Sequence, residues 1–458
     1  MTIRKNILLP LALIFLTGYI SLSMELMALR QVSYFVGSSA VISSIVIGIF
    51  LGAMSAGYFA GTKKRNLDPM KTIGASFLAI AVLAILACSF PLISYYFRLM
   101  TADKIYSPIT QTFIYSLLFL SVAPFLFGFN TAILSHSMHN QERSNTGTIM
   151  GVDTIGSVLG SLATTLIFMP LLGVNYTVIL TVGLALAGAY AALRKLWVVL
   201  AAVVVFGAAY MVNNDRLLYE RHRIVSSNPV NTVSVAETYN GRWLLIDSAT
   251  HSFISNDGKT AAQYINFINE RFIYTIPKNE TKDILVLGAG GFTTGILDQR
   301  NSYTFVDVDK TLMNVAEKHF LKQKLTANKR FVVQDAGQFL KVAGTSYDLI
   351  VMDIFSRWNI PESAITVEFM ERMKSRLRPG GVIIMNTIAS PTFSDEYSQK
   401  LDNTIRAAFP HNLSRHIEGP FTGWASKHYA NVLYIYNNAP NSGKIYTSNK
   451  SSTIYDKR

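Results

Sequence analysis

The stretch from Asp283 to Asp309, DILVLGAGGFTTGILDQRNSYTFVDVD, decides how the second half of the chain folds. Ile284 to Leu287 is a short apolar run, the length of a strand buried on both faces. Gly288, Gly290 and Gly291 follow at once. Glycine there lets the backbone turn tightly and approach a ligand with no Cβ in the way. Thr293 onward is expected to open a helix whose free N–H groups face that ligand. A second strand, Tyr303 to Val306, ends in Asp307, 19 residues after Gly288. A carboxylate at that tip is placed to accept hydrogen bonds from a ribose diol. Strand, glycines, helix, strand and acid in this order point to a nucleoside-type ligand, where the glycines alone would mark only an α/β turn.

Working outward, further strands surround this unit. Before it, NTVSVAE, RWLLID and HSFIS alternate in polarity and are separated by Tyr239-Asn240-Gly241 and by Ser248. This is the pattern of a small antiparallel sheet. AAQYINFINERFIYTI (261–276) has helical spacing. After the unit, a helix is expected over 310–322. A third strand, Arg330 to Val333, leads into Gln334-Asp335-Ala336, and a fourth, Tyr347 to Met352, ends in Asp353. Arg378-Pro379-Gly380-Gly381 reads as a turn before a fifth strand, Val382 to Asn386. A helix over 394–408 and strands near 412–417 and 430–436 complete the sheet, and 440–458 is a polar tail. Asp307, Asp335 and Asp353 thus close three successive strands on the edge where open α/β sheets bind ligands. Singly each is a turn or cap residue; together they favour a site. Asp353 lies where the reactive end of a nucleoside cofactor would point, and can hold or deprotonate an amine or steady a sulfonium charge. Trp358 reads equally as a pocket wall or as packing.

Composition separates this half from the first. The chain has 458 residues, half of them hydrophobic and only 15% charged, with a mean hydropathy of +0.29. A soluble protein of this length carries more charge, and nearly all the long apolar runs lie before Asn213. The net charge of +13 splits into +7 for residues 1–213 and +6 for 214–458. The second half shows no dense basic run, which argues against nucleic acid as a partner. The single cysteine, Cys88, excludes an intrachain disulfide and a cysteine metal cluster, and no metal is expected.

Seven stretches, near 7–29, 39–61, 72–97, 111–136, 146–170, 174–193 and 196–213, reach the roughly 20 residues a bilayer crossing needs. Arg4 and Lys5 before the first resemble a signal peptide's flank, but the run is long and lacks a small-residue cleavage site, so it reads as a retained helix. Glu25 and Arg30 lie in or near the first span and Asp153 in the fifth. Ionisable groups at such depth are paired or line a polar cavity; a Glu25–Arg30 pair is the expectation, and a substrate path or proton site the functional alternative. Small residues in GIFLGAMSAG (48–57) and GVDTIGSVLGSLA (151–163) suit close helix packing. Lys63, Lys64, Arg65 and Lys71, and Arg194 with Lys195, place two loops in the cytoplasm. Seven spans then put the C-terminal domain outside, whereas Arg216, Arg221, Arg223 and the cofactor pool place it inside. The reading adopted is a multi-pass membrane protein with a cytoplasmic domain.

At this point the chain resembles the spermidine/spermine synthases, in particular bacterial membrane-fused spermidine synthase-like proteins. SMELMALRQVSYFVGSS (23–39), FLGAMSAG (50–57) and GVDTIGSVLGSLATTLIFMPLLG (151–173) are similar to that family's membrane segments. LLIDSATHSF, ILVLGAGGFTTG, FVDVD, VVQDAGQF and IVMDIFSRWNIP are similar to its successive soluble motifs. The resemblance implies a multi-pass α-helical membrane bundle followed by an α/β methyltransferase-like Rossmann domain with a small N-terminal antiparallel β subdomain. The boundaries are 1–213, 214–260, 261–439 and a tail from 440. It implies an enzyme that transfers an aminopropyl group from decarboxylated S-adenosylmethionine to putrescine and releases methylthioadenosine. Gly288, Gly290 and Gly291 would hold the nucleoside, Asp307 the ribose, Asp335 with Ala336 the adenine, and Asp353 would accept the amine proton. Pro361 matches a pocket-lining proline one residue out of register. Tyr264, Ser356 and Trp358 would face the acceptor.

The chain also departs from the family pattern. Gly291 and Ser356 stand where the family has acids, Ser248 where it has glycine, and Tyr264-Ile265-Asn266 where it has Tyr-His-Glu. The resemblance assigns the missing acids to gripping the far ammonium of the polyamine, and without them a dication should bind poorly. The expected function is therefore transfer of an aminopropyl or related alkyl group, with S-adenosylmethionine or its decarboxylated form as co-substrate and an amine or other small molecule as acceptor. A methyltransferase, a cofactor lyase, and a nucleoside-binding transporter or sensor are the alternatives. The lipid bilayer is the expected partner, and a homo-oligomer is left open.

Overall fold

The computed structural model describes residues 5–64, 67–138, 146–342, 344–355, 360–420 and 429–439. Arg4, Arg65, Ser356, Trp358 and the tail 440–458 lie outside these residues. Two compact units comprise residues 1–236 with 245–250, and 237–244 with 251–458.

The first unit is helical: α1 (Lys5–Val36), α2 (Ala40–Thr62), α3 (Pro69–Cys88), α4 (Phe90–Ala102), α5 (Pro108–Phe119), α6 (Val122–Met138), α7 (Thr146–Ala163), α8 (Met169–Leu193), α9 (Leu196–Asn213) and α10 (Asp215–His222). Ser39, Asp68 and Ser107 cap α2, α3 and α5 by accepting from Ile42, Lys71 and Thr110 N–H. Proline follows two of these caps, where its missing N–H costs nothing. Among the described residues five helices are long and apolar enough to cross a membrane, or six if α5 and α6, bent by 44°, form one span. One of the five, Gly147–Leu193, has 47 residues. At the helical rise it would be about 70 Å long, more than twice the hydrocarbon thickness. It breaks at Gly173, whose φ is +81°, so it contains both the fifth and the sixth expected stretch. Leu166, Leu171, Val203, Val204 and Met211 are each at least two-thirds exposed on these helices.

Glycines bring the helices together in two pairs. A Cβ on Gly18 of α1 would lie 2.1 Å from the Asp153 carbonyl oxygen of α7, and one on Gly156 2.2 Å from Phe15 O. Between α2 and α6, a Cβ on Gly57 would lie 2.0 Å from Phe125 O and one on Gly128 2.0 Å from Met54 O. Only glycine permits such backbone contact.

The expected Glu25–Arg30 pair is not formed. Five residues apart on a helix, the two side chains point in different directions. Arg30 instead donates from Nε to Asn228 O at 2.7 Å and from Nη2 to Thr232 Oγ1 at 2.9 Å and to Asp247 at 3.3 Å. It is 8% exposed, so these bonds replace its hydration.

A four-stranded antiparallel sheet, in the order β1 (Ile224–Ser227), β2 (Thr232–Thr238), β3 (Gly241–Ile246), β4 (Ala249–Ser255), follows α10. Asp247 and Ser248, at φ +44° and +65°, form the tight turn between β3 and β4. Positive φ at both central residues matches the strand twist. Ser248 thus adopts a conformation in which the family's glycine would be unstrained.

The second unit contains α11 (Gln263–Ile268), β5 (Asp283–Leu287), β6 (Ser302–Asp307), α12 (Leu312–Val315), β7 (Lys329–Val333), α13 (Ala336–Lys341), β8 (Tyr347–Met352), α14 (Val367–Ser375), β9 (Leu377–Ala389), α15 (Glu396–Ala408), β10 (Leu413–Pro420) and β11 (Ala430–Asn437). The sheet order is β10-β11-β9-β8-β5-β6-β7. β5 to β9 run parallel and β11 pairs antiparallel with β9 and β10. This is the expected α/β methyltransferase-like Rossmann arrangement. Strand order reverses between β5 and β8, which opens a crevice at their carboxyl ends. Leu285, Leu287, Ile350, Met352, Ile383 and Met385 are buried in the sheet. The pairing of β8 with β9 skips from Leu377 to Val382, so Arg378 to Gly381 loop out within the strand.

The helix expected from Thr293 does not form. Residues 293–300 are a series of turns, with Ile296 N–H bonded to Thr293 O and Asp298 N–H to Gly295 O. Gly290, Phe292 and Gly295 all have positive φ, at +47°, +59° and +64°, and a right-handed helix cannot pass through them.

Candidate active site

The carboxyl ends of β5 and β8 meet backbone to backbone. Asp353 N–H donates to Leu287 O at 2.8 Å, and Gly288 N–H to Val306 O at 2.9 Å. Gly288 has φ +91°, and a Cβ there would lie 2.2 Å from Asp353 O. The glycine is required by its neighbour strand rather than by a ligand. Gly291 is similar: a Cβ on it would lie 2.2 Å from the Phe320 ring. Its N–H donates to Ser252 Oγ at 2.9 Å. Asn269, 1% exposed, holds the far end of the loop, accepting from Gly295 N–H at 2.7 Å and donating to Thr293 O at 3.2 Å. The N–H groups expected to face a ligand are thus partly used to fasten the loop.

Asp353 is the centre of the site. Its Oδ2 accepts from the Tyr264 hydroxyl and its Oδ1 from Asn386 Nδ2, both at 2.8 Å. Burial raises the Asp353 carboxyl above its ordinary pKa, against the pull of the Asn386 and Tyr264 bonds. Burial, together with the Asp353 charge, keeps the Tyr264 hydroxyl protonated and donating. A carboxylate so held is oriented, and its raised pKa makes it a stronger base than a solvated carboxylate. Asn386 Oδ1 has no partner among the described residues.

Asp307 ends β6 beside the same loop. Its two oxygens accept from Ala289 and Asp309 N–H, both at 3.0 Å. Burial raises its pKa and these N–H groups draw it back. Each oxygen keeps a lone pair for a further donor. Asp335 is exposed and caps α13, with Oδ1 accepting from Gln338 N–H at 2.9 Å. Ala336 opens that helix, and Pro361 opens a short turn over 362–364, its carbonyl accepting from Ala364 N–H at 2.8 Å. The structure therefore joins Tyr264 and Gly288 to Asp353, and Asp307 to the glycine loop. Asp335 and Pro361 instead bond within their own segments, and Ala336 lies in the helix that Asp335 caps.

Three residues were not anticipated. Asn386 is the polar end of the apolar run Val382 to Met385, a signal of the same kind as Asp353. Ser252 lies in an alternating strand with nothing local to mark it, and Asn269 lies within a helical pattern. His251, beside Ser252, is half-buried with its Nε2 buried and unpartnered among the described residues, and desolvation lowers its pKa to about 4. Asn266, where the family has Glu, spends its amide on both backbone groups of Ala261, at 2.9 and 3.0 Å.

Residues 266–417 match the family described as Spermine/spermidine synthase domain. The chain is 26% identical over 406 residues to polyamine aminopropyltransferase 2 of Aquifex aeolicus, covering 83% of this chain and 78% of the relative. It is 24% identical over 434 residues to the polyamine aminopropyltransferase of Leptospira interrogans, covering 87% and 82%. A shorter match, 31% over 138 residues, is to the polyamine aminopropyltransferase of Vibrio vulnificus, covering 29% and 44%. A crystal structure of spermidine synthase from Thermotoga maritima overlaps 47% of this chain and 73% of its own, at 16% identity and a TM-score of 0.37. The resemblance read from the motifs holds for the C-terminal domain.

Proposed function

We propose that this chain is a membrane-bound aminopropyltransferase-like enzyme, with S-adenosylmethionine or its decarboxylated form as co-substrate. The observation that carries the reading is the Asp353 carboxylate, held at 2.8 Å by Tyr264 and by Asn386 at the strand-order reversal beside the glycine loop. In this mechanism the nitrogen of an acceptor amine lies against Asp353. Its lone pair forms a bond to the methylene next to the sulfonium. The carbon–sulfur pair returns to sulfur, so methylthioadenosine leaves as a neutral thioether, and the proton on nitrogen passes to Asp353. Asp307 would hold the ribose hydroxyls through its spare lone pairs. The relatives' names, which specify aminopropyl transfer to polyamines, support the same chemistry.

The acceptor is the part of the site that differs. The Phe320 ring fills the space a side chain at 291 would need, and Asn266 is turned to Ala261. These observations favour an acceptor less charged than putrescine, or cleavage of the co-substrate without an acceptor. The exposed apolar faces of α8 and α9 support embedding in a bilayer, and the arginines after α9 support a cytoplasmic domain.

The test is a product assay on the full-length protein in detergent, with S-adenosylmethionine or its decarboxylated form, with and without putrescine. Methylthioadenosine formation lost in Asp353→Asn is the expected result. Spermidine alongside it would show that a dication is accepted without the missing acids. S-adenosylhomocysteine would replace this reading with a methyltransferase. No turnover with either co-substrate would replace it with a binding protein.

A further inference from the structure

Where the pair α1–α7 meets the pair α2–α6, the first unit holds a partly enclosed cavity of about 40 Å³. Each pair is locked by glycines at backbone contact, so the space between the pairs is filled by side chains. Six of these are polar: Thr17, Ser21, Tyr58, Thr131, Asp153 and Ser157. A water needs about 10–15 Å³ on this scale. The cavity therefore has room for one ion with a water or two, and not for a diamine chain.

The hydroxyls are arranged as acceptors. Thr17 donates its proton to Leu13 O at 2.8 Å and Thr131 to Phe127 O at 3.2 Å, so both hydroxyls face the cavity as acceptors. The Tyr58 hydroxyl lies against Thr131 and the Asp153 carboxylate. Two buried oxygens lining the cavity have no hydrogen-bond partner among the described residues: Ser21 Oγ, in a residue 2% exposed, and Asp153 Oδ1. Arg30, the buried cation of α1, is committed to Asp247. A buried carboxylate without a counter-charge is costly. One carboxylate among neutral oxygens balances one positive charge. Hard oxygen donors suit alkali cations over softer metals, and sites for divalent ions usually recruit more carboxylates.

We propose that this cavity is a binding site for a monovalent alkali cation, held by the Asp153 carboxylate and the Ser21, Thr17, Thr131 and Ser157 hydroxyls. The ion joins α1 and α7 to α2 and α6, so binding stabilises the folded bundle. The proposal does not depend on the chemistry at Asp353.

The test is the thermal midpoint of the full-length protein in detergent, with sodium chloride exchanged for choline chloride at constant ionic strength. A saturable rise with sodium or another alkali cation and not with choline is expected, and Asp153→Asn should abolish it. Ser21→Ala should raise the half-saturating sodium concentration about 2- to 12-fold, the worth of one neutral hydrogen bond. Equal midpoints in sodium, potassium, lithium and choline would overturn the proposal. So would a midpoint that follows pH but no cation, which would mean that Asp153 carries a proton, or a sodium effect that survives Asp153→Asn. If Asp153→Asn does not fold, Ser21→Ala and Ser157→Ala decide the matter, and an unchanged half-saturation in both overturns it.

Discussion

Two donors and a buried position set the behaviour of Asp353. A carboxyl whose folded pKa is raised adds stability in its protonated form. That stability is fully present below the unfolded value of about 3.9 and is lost as pH rises through the folded pKa. Ionisation of Asp353 therefore weighs against folding. Asp353→Asn should abolish product formation while leaving the thermal midpoint at pH 8 equal or higher, because Asn386 can turn its unpartnered Oδ1 toward the new amide. A midpoint that falls by several degrees would show that the charge itself stabilises the fold. Tyr264→Phe removes a donor that lowers the Asp353 pKa. The acid limb of kcat/KM against pH should then move to higher pH; an unmoved limb would separate Tyr264 from the titrating group.

At the scale of elements, Arg30 fastens α1 to the segment carrying Asn228, Thr232 and Asp247. Arg30→Met leaves the Asp247 carboxylate and the Asn228 carbonyl without this donor, at a cost of about 3 kcal/mol for a broken buried pair. Glu25→Gln should cost far less, since Arg30 is not its partner. Comparable losses of midpoint in the two variants would contradict the assignment. The contrast also shows what was legible. β5, β8 and the Val382–Met385 part of β9 carry continuous apolar runs, and burial on both faces of a parallel sheet writes itself into sequence as such runs. Asp307 and Asp353 were legible because polar residues end those runs. The turns at 293–300 were not, because Phe292 takes a positive φ that no local residue type announces. Nor was the partner of Arg30, which lies 217 residues away. Ser252 and Asn269 act on a loop distant in sequence, so their roles appear only once the strands are assembled.

At the scale of the whole molecule, the division into units does not follow the boundary between apolar and soluble sequence, since β2, β3 and β4 each contribute residues to both. A fragment from Asn214 onward keeps the seven-stranded sheet but leaves Thr232 and Asp247 without Arg30. It should still bind methylthioadenosine, while the amides of β1 and β2 exchange with deuterium faster than in the full-length protein. Equal protection in the two would mean that α1 contributes nothing to holding those strands.

The contact between Gly291 and Phe320 constrains mutational history. An acid cannot arise at 291 while the Phe320 ring stands 2.2 Å from its Cβ, and a smaller residue at 320 opens a void while 291 remains glycine. Each change alone is a loss, so the pair is epistatic, with no neutral single step between Gly291 beside Phe320 and an acid at 291. A library at Gly291 alone should return no gain in putrescine use. One that first replaces Phe320 with alanine or valine should make acids at 291 tolerable, as read by thermal midpoint and spermidine yield.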